Sequence, residues 1–418
     1  MMFDNGRLLF APLGILLLGT GVLLMGNRLP PASDFLPWLL AVLVVAGFVQ
    51  LVLAKYHRGI DGMLFPVAVL LSSLGIIMIA RLKPALFVTQ MRWLLIGMVV
   101  YLAVIFLGAK ILRILSYQYL LGVFCLFLLC SALLFGTEIG GSRNWIVLGA
   151  FAVQPSEFGK ILIIMFLAAY LAEHREMLIL PSHRIFLLRL PMLRFIAPLL
   201  CIWGIAILMF VVQRDLGSAL LFFGIAVFMT YMATGRKSYI VLALGVFGGA
   251  AALSYAFFGH VRVRFNIWLD PWLDPSGSAY QIVQSLFAFG SGGVWGTGFA
   301  HGHPGLIPEV HTDFIFAALA EELGLLGALG IMLVFSLFFY RAIKIALMCQ
   351  KERESLLAAG AAVIFLLQAF IIIAGVTKFL PLTGITLPFV SYGGSSMVSS
   401  FILLGILTVL SKKENQHG

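Results

Sequence analysis

Long apolar stretches recur along the whole chain, and polar positions are confined to the intervals between them. A membrane-spanning helix needs about 20 mostly apolar residues. Twelve stretches approach that length, near 9–26, 36–54, 62–80, 93–109, 116–135, 157–173, 195–212, 216–234, 239–257, 313–340, 356–377 and 388–410. Their many Gly and Pro residues favour closely packed helices, some broken or re-entrant, over a β-barrel. The pattern predicts an all-α integral membrane protein with about twelve transmembrane helices.

Composition supports this class. Hydrophobic residues make up 62% of the 418 positions, and charged residues make up 11%. A soluble domain could not cover its surface with so few polar groups. The first apolar stretch follows Arg7 and could be a secretory signal, but no small-x-small cleavage site follows it. We therefore expect a retained helix.

Positive charge is concentrated on one side of the predicted membrane. Lys and Arg follow the even-numbered stretches, at Lys55, Arg58, Lys110, Arg113, Arg175, Arg184, Arg189, Arg194, Arg236, Lys237, Arg341, Lys344, Lys351, Arg353, Lys412 and Lys413. Loops rich in these residues stay in the cytoplasm, which predicts that both termini are cytoplasmic. The net charge of +10 then reflects topology and attraction to anionic lipid, and no nucleic-acid partner is expected.

Three polar segments fall on the opposite, extracytoplasmic side: 136–156, 258–312 and 378–387. A site outside the membrane excludes ATP and nucleotide sugars as ordinary substrates. The chain also offers no phosphate-binding loop of the Walker type.

The segment 258–312 is the most polar part of the chain. Asp270 and Asp274 each precede a proline, which favours extended or turn geometry, and Gly277 permits a tight turn after Asp274. Turn capping is one interpretation of these carboxylates, and a catalytic site is the other. The amphipathic stretch that follows is too short to span a membrane and predicts a re-entrant or interfacial helix; its polar residues are Tyr280, Gln281, Gln284 and Ser285.

Other charged and polar residues surround this segment. Arg262 and Arg264 precede it, and Glu309, His311 and Asp313 end it. Glu321 and Glu322 lie one to two turns further on. Intramembrane carboxylates usually have a function or a specific partner, and Lys378 or an external Arg could supply the partner.

The segment 136–160 predicts a Gly-rich turn that presents Arg143 and Trp145. Ser156 suits the N-cap of the following helix, and Glu157 suits its first turn. Lys160 lies three residues after Glu157, so the two side chains could form an internal ion pair. Alternatively, Lys160 faces a polar cavity and binds a phosphate group together with Arg143.

A last polar cluster occupies 378–396, with two prolines and two runs of small residues. It predicts a broken helix with exposed backbone donors near Ser391 and Ser395. Close helix packing through small residues is the competing interpretation.

Four motifs in this order resemble the RodA/FtsW/SpoVE family of shape, elongation, division and sporulation proteins: NWIVLGAFAVQPSEFGK, DPSGSAYQIVQSLFAFGSGG, PEVHTDFIFAALAEELG and LPLTGITLPFVSYGGSS. The resemblance covers roughly 62–410 and leans slightly towards RodA. It implies a ten-helix core over 61–410, containing the extracytoplasmic loop 258–312. Two added N-terminal helices would occupy 1–60, and a cytoplasmic tail would occupy 411–418.

The resemblance further implies a peptidoglycan glycosyltransferase in the bacterial cytoplasmic membrane that polymerises lipid II on the outer face. A class B penicillin-binding protein would be its partner. The motif carries the family's essential aspartate onto Asp274. Arg143, Trp145, Glu157 and Lys160 fall on another functionally sensitive motif. Ala279, where many relatives have Gly, is a departure that would stiffen the turn.

Such a reaction requires a carboxylate to deprotonate the attacking sugar hydroxyl and cations to stabilise the leaving pyrophosphate. Asp274 is expected to be the base or to hold a divalent ion (Mg or Mn); no cofactor is otherwise implied. The expected substrate-binding residues are Arg143, Trp145, Glu157, Lys160, Arg262, Arg264, Tyr280, Gln281, Gln284, Ser285, His311, Asp313, Ser391 and Ser395.

Two other functions stay open. A lipid II flippase would also need a polar cavity among broken helices, but it should have matching polar features on the cytoplasmic side. A non-catalytic scaffold for the penicillin-binding protein would not need Asp274. The residues do not decide between elongation, division and sporulation.

Overall fold

The computed structural model describes residues 8–56, 59–139, 141–149, 151–180, 183–185, 188–190 and 192–412. Arg58 and residues 413–418 of the predicted tail lie outside these residues. The helices are α1 (Phe10–Met25), α2 (Ala32–Tyr56), α3 (Leu64–Leu82), α4 (Pro84–Phe106), α5 (Gly108–Ile114), α6 (Gln118–Phe135), α7 (Pro155–Ile179), α8 (Leu193–Val212), α9 (Leu216–Thr234), α10 (Lys237–Phe257), α11 (Gly259–Leu269), α12 (Tyr280–Gly292), α13 (Ile315–Met348), α14 (Glu352–Val376) and α15 (Gly394–Leu410).

Ten helices within the described residues are long and apolar enough to cross a membrane. The multi-pass helical fold predicted from the apolar stretches is therefore confirmed. The shorter apolar helices α1 and α15 coincide with the first and last predicted stretches. A count of twelve spans, and a re-entrant position for the 13-residue α12, stay predictions.

Short strands occur where the apolar pattern predicted only a turn. They are β1 (Thr137–Ile139), β2 (Ser142–Leu148), β3 (Phe151–Val153), β4 (His183–Ile185) and β5 (Leu188–Leu190). The first three form an antiparallel sheet in the order β1-β2-β3, and β4 pairs with β5. Arg143 and Trp145 accordingly lie on β2, where the aromatic and β-branched residues Trp145, Ile146 and Val147 favour an extended chain.

The chain forms two compact units. Unit 1 comprises residues 1–108, 266–341 and 368–418, and unit 2 comprises 109–265 and 342–367. The helix α14 begins in unit 2 and ends in unit 1.

In unit 1, α1 packs on α3, α2 packs on α4, and α15 packs on α4. Small residues make this close packing possible. A Cβ on Gly75 of α3 would lie 2.2 Å from the carbonyl oxygen of Val390, and one on Gly394 would meet the ring of Trp93. Backbone can approach backbone this closely only where the side chain is absent. The segment before α15 is therefore fixed against α3.

In unit 2, α7 packs between α6, α8 and α9. Its apolar core includes the buried residues Ile164 and Phe166. A Cβ on Gly360 of α14 would lie 2.9 Å from the sulfur of Met229 and 3.1 Å from the side chain of Ile164. Tight packing of this kind places the first turn of α7, with Glu157 and Lys160, inside the unit.

Candidate functional site

The carboxylate of Asp274 closes its own turn. Its Oδ2 accepts hydrogen bonds from the backbone N of Ser278 at 2.7 Å and from the Ser278 Oγ at 2.9 Å. A Cβ on Gly277 would lie 2.4 Å from the same carboxylate. These hydrogen bonds, led by the Ser278 amide, hold the pKa of the exposed Asp274 carboxyl below its ordinary value. Asp270 likewise caps a turn, by accepting from the Trp272 amide at 3.0 Å.

The polar face of α12 is divided between half-buried and buried positions. Tyr280, Gln281 and Gln284 are half-buried. Ser285 is fully buried, and its Oγ lies 3.0 Å from the carbonyl oxygen of Val376. A hydroxyl in this position ties α12 to the end of α14 within unit 1. Ser285 is therefore a packing contact rather than a surface-facing ligand.

Two distant segments of unit 1 meet beside α13. The Oγ of Ser391 donates to the carbonyl oxygen of Thr312 at 2.6 Å and accepts from the amide of Leu387 at 2.9 Å. The amide of Tyr392 donates to the carbonyl oxygen of His311 at 2.9 Å. These contacts join the predicted polar clusters 309–313 and 378–396 into one site, which we call the His311–Ser391 cluster.

Asp313 lies in the His311–Ser391 cluster and is half-buried. Its Oδ2 is 3.4 Å from the position that a Cβ would take on Gly384, whose φ of +73° is in the left-handed region. Because glycine alone adopts that conformation without strain, the turn at Gly384 can approach the carboxylate closely. The sequence named Asp313 among the substrate ligands, and the structure places it in this cluster.

The imidazole of His311 is buried in the same cluster. Its Nε2 lies 3.7 Å from Oε2 of Glu309, too far for a hydrogen bond. Burial, followed by the positive charge of Lys83, lowers the pKa of His311, and Glu309 opposes this effect. His311 is consequently neutral at pH 7 and can donate or accept one hydrogen bond.

In unit 2, β2 presents the predicted cation Arg143. The side chain is exposed, and its Nε donates to the carbonyl oxygen of Gly136 at 2.9 Å. Trp145 is half-buried, and its carbonyl oxygen accepts from the Thr137 hydroxyl at 3.1 Å. The sheet thus anchors one edge of the Arg143 guanidinium and leaves its end at the surface, where it can meet an anion.

Lys160 and Glu157 form the internal ion pair that their spacing allowed. The Nζ of Lys160 is 2.5 Å from Oε2 of Glu157. Lys160 is 1% exposed and Glu157 is 8% exposed. An ammonium group with a close carboxylate partner is already neutralised, so this geometry favours a structural pair over direct phosphate binding.

The remaining predicted cations lie on α11, and the remaining predicted serine lies at the start of α15. Arg262 on α11 donates to the carbonyl oxygens of Ala256 at 2.9 Å and Tyr255 at 3.4 Å, at the end of α10. This is the usual interaction of a cation with the C-terminus of a helix. Arg264 is half-buried on the same helix, and Ser395 is buried in the first turn of α15.

One buried polar group was missed by the sequence reasoning. Asp215 caps α9, accepting from the amide of Ser218 at 2.9 Å and from its hydroxyl at 2.8 Å. The Nδ2 of Asn144 on β2 also donates to Asp215, at 2.7 Å. An Asp directly before an apolar run is a recognised signal for an N-cap and could have identified this position. It links the sheet that carries Arg143 to α9.

The divalent ion considered for Asp274 stays a prediction. One carboxylate oxygen already accepts two hydrogen bonds from Ser278. Within the described part of the chain, no group of three His, Cys, Asp or Glu residues is placed to hold a metal ion. Mg²⁺ usually takes one or two carboxylates, with waters and substrate phosphates as its other ligands. The reaction below is derived from the protein groups alone.

Comparisons with known proteins agree with this architecture. The family model of FtsW, RodA and SpoVE, described as cell cycle proteins, matches residues 56–416. Peptidoglycan glycosyltransferase RodA of Mycobacterium tuberculosis (strain ATCC 25618 / H37Rv) is 38% identical over 391 residues, covering 90% of this chain and 83% of the relative. Stage V sporulation protein E of Bacillus subtilis (strain 168) is 39% identical over 302 residues, covering 71% and 79%.

A solved structure is also similar. It concerns the structural coordination of polymerization and crosslinking by a peptidoglycan synthase complex. One of its chains matches with a TM-score of 0.70 at 26% identity, covering 86% of this chain and 99% of that chain.

Proposed function

Because the chain belongs to the FtsW, RodA and SpoVE family, we propose that it is a peptidoglycan glycosyltransferase that polymerises lipid II. The multi-pass helices supply a membrane-embedded enzyme for a lipid-linked substrate. The RodA-like character expected from the motifs agrees with the mycobacterial relative, itself a RodA. The charge distribution supports cytoplasmic termini and a site on the outer face of the bacterial cytoplasmic membrane.

The reaction joins a sugar hydroxyl of one substrate to the anomeric carbon of another. A base removes the hydroxyl proton as the new C–O bond forms. The bond to the lipid pyrophosphate breaks, and its electron pair leaves with the pyrophosphate. Since the activated leaving group arrives on the lipid, no nucleotide is required. The protein must therefore provide a carboxylate near the acceptor and positive charge near the leaving group.

The half-buried carboxylate of Asp313 is the observation that carries this proposal. It lies at the meeting point of two polar segments, next to Gly384 and in the same cluster as the neutral His311. A general base must be near the hydroxyl and must bind a proton readily. Asp313 lies where the two polar segments meet, so it is placed to contact a sugar hydroxyl bound there.

Asp274, which the motif nominated as the base, is less suited by its geometry. Its Oδ2 accepts two hydrogen bonds from Ser278, and the lowered pKa of its carboxyl makes it a weaker base. Its role in catalysis stays a prediction. We propose Asp313 as the base and Asp274 as the residue that shapes the loop entering α12.

Arg143 is the best candidate among the predicted cations for binding the pyrophosphate or a neighbouring anionic group. It is exposed, and the contact of its Nε with Gly136 holds the side chain in place. A planar guanidinium suits phosphate oxygens because it can donate two parallel hydrogen bonds. A class B penicillin-binding protein, which would cross-link the strands, is the proposed partner.

The test is polymerisation of purified lipid II by the full-length chain in lipid nanodiscs, with and without the cognate penicillin-binding protein. Asp313→Asn should reduce the rate about 10²–10⁴-fold, the usual contribution of a general base. Asp274→Asn should retain most activity, and Asp270→Asn is the matched control because Asp270 also caps a turn.

Three results would contradict parts of the proposal. If Asp313→Asn keeps full activity and only Asp274→Asn loses activity, Asp274 is the general base instead. No glycan polymer from the wild type under any condition would exclude the glycosyltransferase. Transport of intact lipid II across the bilayer by such an inactive chain would indicate the flippase instead.

A further inference from the structure

Helix α13 is broken at Gly324, where φ is +69°. The carbonyl oxygens of Glu321 and Glu322 accept hydrogen bonds from backbone amides of another segment instead of from amides one turn further along the helix. The amide of Thr297 donates to Glu321 O at 3.0 Å, and the amide of Gly298 donates to Glu322 O at 3.1 Å. Carbonyls freed by a break in a membrane helix must find such partners.

The amides beyond the break are satisfied by the same segment. Leu325 donates to the carbonyl oxygen of Gly293 at 2.9 Å, and Leu326 donates to that of Val294 at 3.3 Å. In an unbroken helix these two amides would bond four residues back along the helix. Residues 293–303 therefore form a wedge inserted into α13, and we call them the wedge loop.

Two carboxylates hold the far end of the wedge loop. Oε2 of Glu322 accepts from the amide of Ala300 at 3.0 Å, and Oε1 of Glu321 accepts from the amide of His303 at 2.8 Å. Ala300 has a φ of +67°, an unfavourable conformation for a residue with a Cβ. Such backbone strain persists only where surrounding contacts impose it, and here those contacts come from α13.

Arg81, at the end of α3, completes the buried side of this arrangement. Its NH2 donates to the carbonyl oxygen of Gly302 at 2.9 Å. Its Nε lies 3.3 Å from Oε1 of Glu322, and the two side chains are 17% and 0% exposed. The carboxylate of Glu322 thus connects the wedge loop to a second helix.

The turn between α1 and α2 reaches the same loop from outside the matched family region, which begins at residue 56. NH1 of Arg28 donates to the carbonyl oxygen of Ala300 at 2.9 Å. The strained residue is therefore held through its amide by Glu322 and through its carbonyl by Arg28. The N-terminal helical pair makes a direct contact with the loop that interrupts α13.

We propose that Arg28 and Arg81 are positioning residues that hold the wedge loop and thereby fix the first segment of α13, together with Asp313 at its start. This rests on the proposed function, because Asp313 is the proposed base. It also assigns a purpose to the two N-terminal helices, which brace the loop from outside the family core.

The physical link is the short rigid helix Ile315–Leu323. Asp313 lies just before its beginning. The wedge loop is hydrogen-bonded to its end through Glu321 and Glu322. Because a helical segment moves as one body, loosening its end changes the orientation of its start. Small misplacements of a catalytic group are enough to slow a reaction substantially.

The experiment compares Arg28→Ala, Arg28→Lys and Arg81→Ala in the full-length chain. Arg92→Ala is the matched control: Arg92 on α4 stacks over Trp38 of α2 at 4.5 Å, so the variant removes a cation that contacts the N-terminal helical pair at a different place. Lipid II polymerisation gives kcat and KM. Hydrogen exchange measures how strongly the amides of Thr297, Gly298, Ala300 and His303 are protected.

Arg28→Ala should lower kcat about threefold and Arg81→Ala about tenfold or more, since hydrogen bonds from charged groups contribute most when buried. KM for lipid II should not change, because neither side chain binds substrate. Exchange at the four amides should accelerate in both variants. Arg28→Lys should restore part of kcat, and Arg92→Ala should resemble the wild type in both measurements.

Unchanged kcat and unchanged exchange in Arg28→Ala would overturn the proposal. Equal losses in Arg28→Ala and Arg92→Ala would also overturn it, because they would indicate general weakening of the N-terminal helices. Faster exchange in Arg28→Ala with normal kcat would show that the contact between Arg28 and the wedge loop does not affect catalysis. If the wild type makes no polymer, the proposed function fails, while the exchange data still test whether Arg28 and Arg81 hold the loop.

Discussion

The ammonium nitrogen of Lys160 and a carboxylate oxygen of Glu157 are 2.5 Å apart inside unit 2, where both side chains are almost completely buried. Because little of either charge reaches water in this position, each side chain stabilises the other. The pair lies in the first turn of α7, directly after the sheet that carries Arg143.

Removing one member of this pair should destabilise the protein strongly. Lys160→Met should lower the free energy of unfolding by about 3–5 kcal/mol, because it removes the cation paired with a buried carboxylate. Thermal unfolding in detergent would measure the change. The double variant Lys160→Met/Glu157→Leu should be less destabilised than either single variant. A double variant whose loss equals the sum of the single losses would show that the two charges are not coupled.

The contact between Gly296 and α13 should not tolerate a methyl group. A Cβ on Gly296 would lie 2.2 Å from the carbonyl oxygen of Glu322, and its φ of +85° is already unfavourable for other residues. Gly296→Ala should therefore destabilise the protein by more than about 2 kcal/mol. Gly290→Ala is the control, since a Cβ on Gly290 in α12 would meet nothing within 4 Å. A normal melting temperature for Gly296→Ala would contradict the close packing.

Acidification should destabilise the His311–Ser391 cluster. Burial and the charge of Lys83 lower the pKa of His311 below its ordinary value of 6.5, so the unfolded chain binds a proton more readily than the folded chain. Stability is then fully present above about pH 6.5 and falls as the pH decreases towards the folded-state pKa. Melting temperatures between pH 8 and pH 5 would show this decline.

The matched variant for this pH dependence is His311→Gln, which keeps a polar side chain without titrating. It should flatten the decline between pH 6.5 and 5, while other acid-sensitive groups continue to act at lower pH. An identical pH profile in the variant and the wild type would exclude His311 as the responsible group.

The surface ion pair Arg353–Glu173 should contribute little to the stability of the protein. The atoms are 2.7 Å apart, but the side chains are 40% and 48% exposed and line an open cavity of about 580 Å³ in unit 2. Exposed ion pairs usually contribute about 0–1 kcal/mol. Glu173→Gln should accordingly change thermal stability far less than a change at Glu157. A loss comparable to that of Lys160→Met would contradict this ranking.

Local signals in the sequence located several elements well. The predicted stretch 216–234 coincides with α9, because Asp215 caps its beginning and Gly235, with a φ of +68°, ends it. The strand β2 was not predicted, since seven residues between Gly-rich turns carry too weak a periodic signal. The break in α13 has a local marker in Gly324, but the groups that satisfy it come from the wedge loop.

The candidate site was only partly recognisable. The sequence placed Asp270 and Asp274 in one polar segment and Asp313 just after it, and the family resemblance ranked Asp274 first. The proposed ranking instead depends on what each carboxylate contacts. Asp274 accepts from Ser278, four residues away, whereas Asp313 faces Gly384, which is distant in the sequence.

By itself, the sequence determined that this is a multi-pass membrane protein of a recognisable family, because the length and composition of each apolar stretch are local properties. Only the tertiary structure decided that Lys160 is neutralised by Glu157, that Asp313 meets Gly384, and that Arg28 reaches the wedge loop. Hydrogen bonds and ion pairs depend on distances of a few ångströms. For residues far apart in the chain, packing sets those distances.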